Sequence, residues 1–290
     1  KSTEFNQQAL SITNEIKDDI EKSNNLGRIG NTYRLQGQIE QAIFYYEQAL
    51  NLSTNLRDLR NQGIWLGKLG NAYRVLGLLD KAIEYTKKAL EISTISNDRR
   101  SEGIYLGNLG YMDILSESYQ EGIFKLKKAI DLLKEIQAID FIQYHLCYLT
   151  HGYWISGNLE IAMAHIKDGS NYDIPANNHF VYVLKGCISH CTKVNHNAVI
   201  DMLLKGIDLA SNLIDLSQLN YDAYYSRGLG YAGLWAITQN EEYYSQSLLN
   251  YQIAINICSA EGEKNENKQR LEALLACSDA DGSALLALLG

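Results

Sequence analysis

One block of this chain returns at a fixed interval. Leu26-Gly27-Arg28-Ile29-Gly30-Asn31-Thr32-Tyr33-Arg34 recurs as Leu66-Gly67-Lys68-Leu69-Gly70-Asn71-Ala72-Tyr73-Arg74. A shorter form follows as Leu106-Gly107-Asn108-Leu109-Gly110-Tyr111. The equal steps from Leu26 to Leu66 to Leu106 mark a solenoid, in which each unit buries its apolar face only against its neighbours. Such an architecture points to recognition rather than catalysis.

The second half of each unit recurs as well. Gly37, Ala42-Ile43 and Ala49-Leu50 become Gly77, Ala82-Ile83 and Ala89-Leu90. Leu66, Leu69 and Tyr73 fall on one stripe of a helix, and Ala82, Ala89 and Leu90 on another. Gly77 lies between the two stripes and breaks the helix cheaply, because glycine tolerates positive φ. The unit is therefore helix, tight turn, helix. Gly30, Gly70 and Gly110 recur inside the first helix, and Ala42, Ala82 and Gly122 inside the second. A mid-helix glycine costs about 1 kcal/mol against alanine, so its return at one place predicts close helix packing there. No strand pattern precedes these glycines, and no Gly-Lys-Ser/Thr triplet occurs, which favours packing over a phosphate loop.

Leu66-x2-Leu69-Gly70-x2-Tyr73, followed by Gly77, Ala82 and Ala89-Leu90, resembles the tetratricopeptide repeat signature, with Leu66 where tryptophan is usual. The period of 40 exceeds the family's usual 34, and the only proline of the chain is Pro175, so none follows the second helix. Repeats opening Leu-Gly-Asn-Leu-Gly, as at Leu106 to Gly110, are similar to those of kinesin light chains, spindle-orientation adaptors and sensor regions of bacterial signalling NTPases. The resemblance is specific over residues 24–130. It implies an all-α, right-handed α-solenoid, with first helices on the concave face and second helices on the convex one.

Beyond residue 130 the register continues more loosely. A fourth unit carries Tyr153, Gly157 and Ala162. A fifth, degenerate one has its helices near residues 182–193 and 198–211. A sixth runs from about 220 to 257, with an inner turn near Thr238 to Glu242 that looks lengthened. Ala9-Leu10 lies one period ahead of Ala49-Leu50, so a second helix without its partner is expected over about residues 3–20. That half-repeat and the absence of an initial methionine lead to the expectation of a piece of a longer protein, with a processed N-terminus as the alternative. The expected organisation is a truncated repeat at 1–22, about six helix pairs at 23–257, and a C-terminal capping helix with an apolar tail at 258–290.

The net charge of -8 argues against general nucleic-acid binding. It is uneven: residues 27–110 hold 11 Lys/Arg against 8 Asp/Glu, residues 150–290 hold 8 against 15. No apolar run approaches the length of a membrane-spanning helix and no signal peptide is visible, so no membrane partner is expected. Cys147, Cys187, Cys191, Cys258 and Cys277 are odd in number and unpatterned, so free thiols in a reducing cytoplasm are expected.

No catalytic arrangement stands out, and no cofactor is implied. Cys187, His190, Cys191 and His196 come nearest to a metal cluster, but a second ligand pair at zinc spacing is missing, so buried structural cysteines are expected. Asp279-Ala280-Asp281-Gly282 lacks the distal glutamate of a calcium loop and reads as a polar turn. In the resemblance's geometry the concave positions are Gly27, Asn31 and Arg34, then Gly67, Asn71 and Arg74, then Gly107 and Tyr111, then Cys147, His151 and Trp154. Asn31, Arg34, Asn71, Arg74, Tyr111, His151 and Trp154 are the candidate ligand contacts. Asparagine can both donate to and accept from a peptide backbone, and arginine can fork onto a carboxylate. A ligand segment carrying acidic groups is therefore expected. Of the 20 tyrosines, seven lie between Tyr221 and Tyr251, and Tyr224, Tyr231 and Trp235 serve either recognition or inter-repeat packing.

The resulting expectation is a non-enzymatic protein- or peptide-binding module, the sensor region of a larger bacterial signalling or defence protein. A peptide-responsive regulator, or the scaffold region of a multidomain enzyme such as a protease, is the alternative.

Overall fold

The computed structural model describes residues 8, 11, 12 and 19–290. The partnerless helix expected over about residues 3–20 lies largely outside them, including its Ala9-Leu10 pair. Among the described residues the chain forms helices only. They are α1 (Asp19–Leu35), α2 (Ile39–Asn55), α3 (Leu59–Val75), α4 (Leu79–Ile95), α5 (Arg99–Leu115), α6 (Tyr119–Glu135) and α7 (Ile139–Ile155). They continue with α8 (Leu159–Gly169), α9 (Pro175–Cys191), α10 (His196–Leu216), α11 (Tyr221–Thr238), α12 (Glu241–Ile257), α13 (Glu261–Leu275) and α14 (Ser283–Leu288). None is long and apolar enough to cross a membrane.

Each of α1 to α7 is 17 residues long. A left-handed residue closes nearly every turn at even steps: Gly37, Arg57, Gly77, Asn97, Glu117, Gln137 and Gly157, with φ between 52° and 81°. That regularity is the sequence period expressed as two equal halves. Asp58 and Asp98 cap α3 and α5, each accepting from the backbone N–H of the third residue on, at 3.1 Å. The register drifts where α8 shortens to 11 residues and α10 lengthens to 21. The inner turn of the sixth pair is not lengthened, since α11 ends at Thr238 and α12 begins at Glu241.

Neighbouring pairs lock through a ring that enters the preceding first helix. A Cβ at Gly27 would lie 2.0 Å from the Trp65 indole, one at Gly67 2.3 Å from Tyr105, and one at Gly107 2.4 Å from His145. Trp65 Nε1 donates to Ser23 Oγ at 3.0 Å, and Tyr105 Oη to the Gly63 carbonyl at 2.8 Å. Gly27, Gly67, Gly107 and Cys147, expected on the open concave face, are therefore buried inter-repeat positions. Within a pair, Gly70 meets Ala82 and Thr86 of α4.

The row of repeats curls until its ends meet. A Cβ at Gly37, in the first turn, would lie 2.1 Å from the Ile257 carbonyl oxygen at the end of α12. The C-terminal helix packs on more than the last pair. α13 packs on α3, α7, α9 and α11, all first helices, and so lies inside the curl. The apolar tail forms α14, docked on α12 and α13 with Leu285 and Leu289 fully buried.

Candidate binding groove

The first helices make the inner wall, and α13 covers part of it. Arg74, at the end of α3, is the centre of the covered part. Its Nη2 reaches Glu263 Oε1 at 3.3 Å and its Nη1 pairs with Glu266, both from α13. Its Nε donates to Asn71 Oδ1 at 3.1 Å, and the guanidinium lies over the Tyr111 ring at 5.9 Å. Burial alone would lower the pKa of Arg74, and Tyr148 and Glu263 more than offset it, so the cation is secure. Arg74 is thus not a free groove residue: it is 8% exposed and already holds acidic groups, those of its own chain.

Tyr111 extends this network. Its Oη donates to Glu266 Oε2 at 2.9 Å and accepts from Arg270 Nη2 at 2.9 Å. His151 Nδ1 lies 3.2 Å from the same oxygen. A phenol has one proton to donate, so the His151 Nδ1 must be the donor here and its Nε2 is left bare. Nε2 has no partner, and burial and the Arg270 charge push the His151 pKa well down, consistent with a neutral ring. Trp154 is 2% exposed, and its Nε1 is also unpartnered. Tyr111, His151 and Trp154 therefore lie inside the protein when α13 is in place.

The other candidates are partnered too. Asn31 accepts from Tyr46 Oη at 2.8 Å, within its own helix pair. Arg34 stands where the first pair meets the last. Burial would lower its pKa, and Tyr221 and Asp222 of α11 raise it. Tyr224 and Trp235 are buried, and Trp235 packs on Tyr244 at 4.8 Å, so inter-helix packing claims them. Cys187 is fully buried, and Cys191 and Cys277 both turn to the Ala273 carbonyl.

Asp222 faces this same interior and touches solvent there. Its carboxyl is held above the usual aspartate range, first by displacement of bulk water, then by Glu263, against the pull of Arg34, Arg74 and Arg270. A carboxyl raised in the folded state stabilises the fold most below its unfolded pKa of about 3.9. That contribution is lost as the pH rises through the folded value. Asp222 is exposed, so solvent screens most of this effect: Asp222→Asn is expected to raise the melting temperature at neutral pH only slightly, and the difference from the parent should vanish below the unfolded pKa. Parallel melting profiles for variant and parent would contradict this.

The uncovered part of the groove lies on α3, α5 and α7. It has a volume of about 600 Å³. Its lining falls into three rungs, each stepping by one repeat: Arg60, Arg100 and Asp140; Ile64, Ile104 and Tyr144; Lys68, Asn108 and Tyr148. Asn71 closes the rung series toward Arg74. Positions 60, 64, 68 and 71 share one helix face, so the face is a continuous stripe. Arg60 and Arg100 are exposed, Tyr144 is 44% exposed, and the Arg100 guanidinium covers the Phe141 ring at 5.2 Å. The surface thus offers cations around an apolar floor. These rungs obey the same period that reveals the repeat. Lys68, one helical turn before Asn71, is the signal in the sequence that leads to them.

Known proteins share the repeat and the fold. A family model described as tetratricopeptide repeat matches residues 24–56 and 66–94. A search of curated protein sequences finds no match. Among solved structures, a Rap protein complexed with Competence and Sporulation Factor is 18% identical, with a TM-score of 0.64, over 88% of this chain and 67% of that one. The Rap conjugation gene regulator of plasmid pLS20, in complex with the Phr* peptide, is 14% identical, with a TM-score of 0.65, over 90% and 74%. A signal transduction ATPase with a tetratricopeptide repeat sensor, from Pyrococcus horikoshii, is 17% identical, with a TM-score of 0.55, over 85% and 39%. At these identities the likeness is one of fold.

Proposed function

We propose that this chain, a tetratricopeptide repeat protein, is a peptide-recognition module whose ligand enters the open groove on α3, α5 and α7. The observation that carries the reading is the three-rung lining. It gives an incoming segment an apolar row from Ile64, Ile104 and Tyr144, flanked by Arg60 and Arg100 with Asp140 on one side and by Lys68 on the other. A segment with apolar residues on the central row and acidic residues reaching the cations on its flanks fits that surface. The two Rap complexes, whose names carry Competence and Sporulation Factor and the Phr* peptide, support a peptide as the ligand class. The likeness to a repeat sensor supports a place in a larger signalling protein.

Selection of binders from a peptide library, followed by titration, tests this. Exposed charges contribute little to folding, so Arg60→Ala combined with Arg100→Ala should leave helicity and melting unchanged. Charge-assisted contacts contribute about 1.5–3 kcal/mol when desolvated. The double variant should then bind at least tenfold more weakly. Unaltered affinity for every selected peptide would move the site elsewhere.

A further inference from the structure

We infer that α13 is a resident ligand of this groove, and that the groove's partner is a helical segment carrying a small residue and two glutamates as Gly-Glu-x-x-Glu, which takes Arg74 by displacing α13. This inference rests on the groove being a peptide site and names the chemistry of its covered half.

Placement is the first ground. Only the short link 258–260 separates α12 from α13, yet α13 packs across the first helices of four other places in the chain. A helix bridging the last pair and three earlier first helices lies where a bound segment would lie.

Composition is the second. From Glu261 to Arg270 the helix has no apolar side chain; the first is Leu271. Glu263, Glu266, Asn267 and Arg270 are nevertheless buried, at 6%, 4%, 3% and 6% exposure. The hydrophobic effect contributes almost nothing over this stretch. Charge paired with charge holds this stretch, while Leu271 and Leu274, both fully buried, anchor the rest of the helix, and breaking a buried pair by removing one partner costs much. A segment that supplies the same carboxylates replaces the cis contacts one for one. A neutral segment would leave Arg74 buried and unpaired, so the groove selects against it.

Fit is the third. A Cβ on Gly262 would lie 2.0 Å from the Arg74 carbonyl oxygen and 2.6 Å from that of Val75. The start of α13 therefore meets the end of α3 backbone to backbone, which only glycine permits. Elsewhere the fit is incomplete. Arg270 Nε, His151 Nε2 and Trp154 Nε1 are buried without partners, and a cavity of about 110 Å³ remains between α13 and the wall. A segment that filled these positions would outcompete α13.

The test uses the full chain and a synthetic peptide of residues 261–275. In the chain carrying Glu263→Lys with Glu266→Lys, two lysines face Arg74. Hydrogen exchange within 261–275 should speed at least a hundredfold while α3, α5 and α7 stay protected. That chain should bind the peptide at least tenfold more tightly than the parent does, and should not bind the peptide carrying Glu263→Gln with Glu266→Gln. Continued protection of 261–275, or release of α13 without peptide binding, would each overturn the inference. Should the variant not fold, the parent chain answers. Millimolar peptide matches the effective concentration of a short tether, and it should expose the chain's own 261–275 to exchange; unchanged protection there refutes displacement. Repeating the peptide titration with Arg60→Ala and Arg100→Ala separates the two readings, because α13 exchange does not involve those arginines.

Discussion

Replacing Arg74 by alanine is expected to cost about 3–5 kcal/mol, the range for removing one partner of a buried ion pair. Glu263 and Glu266 have side chains 7% and 5% exposed and converge on this guanidinium, so the variant leaves two carboxylates without their shared cation. Arg270 compensates only in part, since it reaches Glu266 at 3.2 Å and already serves Tyr111 and Asn267. Urea denaturation measures the loss. Where undocking α13 is cheaper than keeping those carboxylates buried, exchange within 261–275 accelerates before the solenoid melts. In this structure α13 engages Arg74, which does not stand open in the groove as the sequence led one to expect. A destabilisation under about 1 kcal/mol, the scale of an exposed pair, would show that the Arg74 network is not what holds α13.

Gly122→Leu is expected to cost about 3 kcal/mol, at the upper end for overpacking. A Cβ at Gly122 would lie 2.5 Å from the Gly110 carbonyl oxygen and 3.0 Å from the Ile114 backbone nitrogen. Gly110 faces the same crossing, and a Cβ there would lie 2.8 Å from the Gly122 carbonyl oxygen. Both obstacles are backbone, so no rotamer change relieves them and α5 and α6 must move apart. Solenoid stability sums over neighbouring interfaces, so lost exchange protection should centre on α5 and α6 and weaken toward α1. Gly63→Ala is the control. Its Cβ would meet only Ile92, at 3.3 Å, and the gain in helix propensity of about 1 kcal/mol offsets that contact. Equal destabilisation by the two substitutions would defeat this account of the crossing.

The helix pairs were legible because a solenoid's contacts are local. Gly30, Gly70 and Gly110 mark the crossings, and the evenly spaced left-handed residues mark the turns. The groove was half legible. Asn71 and Arg74 lie on its wall, but the open rungs of Arg60, Ile64 and Lys68 begin one to three turns earlier on the same helix. Gly27, Gly67 and Gly107 were misplaced for a steric reason. Each accepts a ring from the following repeat, Trp65, Tyr105 or His145, a partner that no one-repeat pattern names.

What the sequence by itself determined is the repeat: its length, its two helices, its turns and its stacking, all set by spacing within a single period. Only the tertiary structure decided where α13 lies and which half of the groove is open. Arg74 meets Glu263 across 189 residues, and Tyr111 meets Glu266 across 155. The stretch from Glu261 to Arg270 has no apolar periodicity to announce a buried face. Its burial follows from charges that become partners only after the repeats have curled far enough to bring them together.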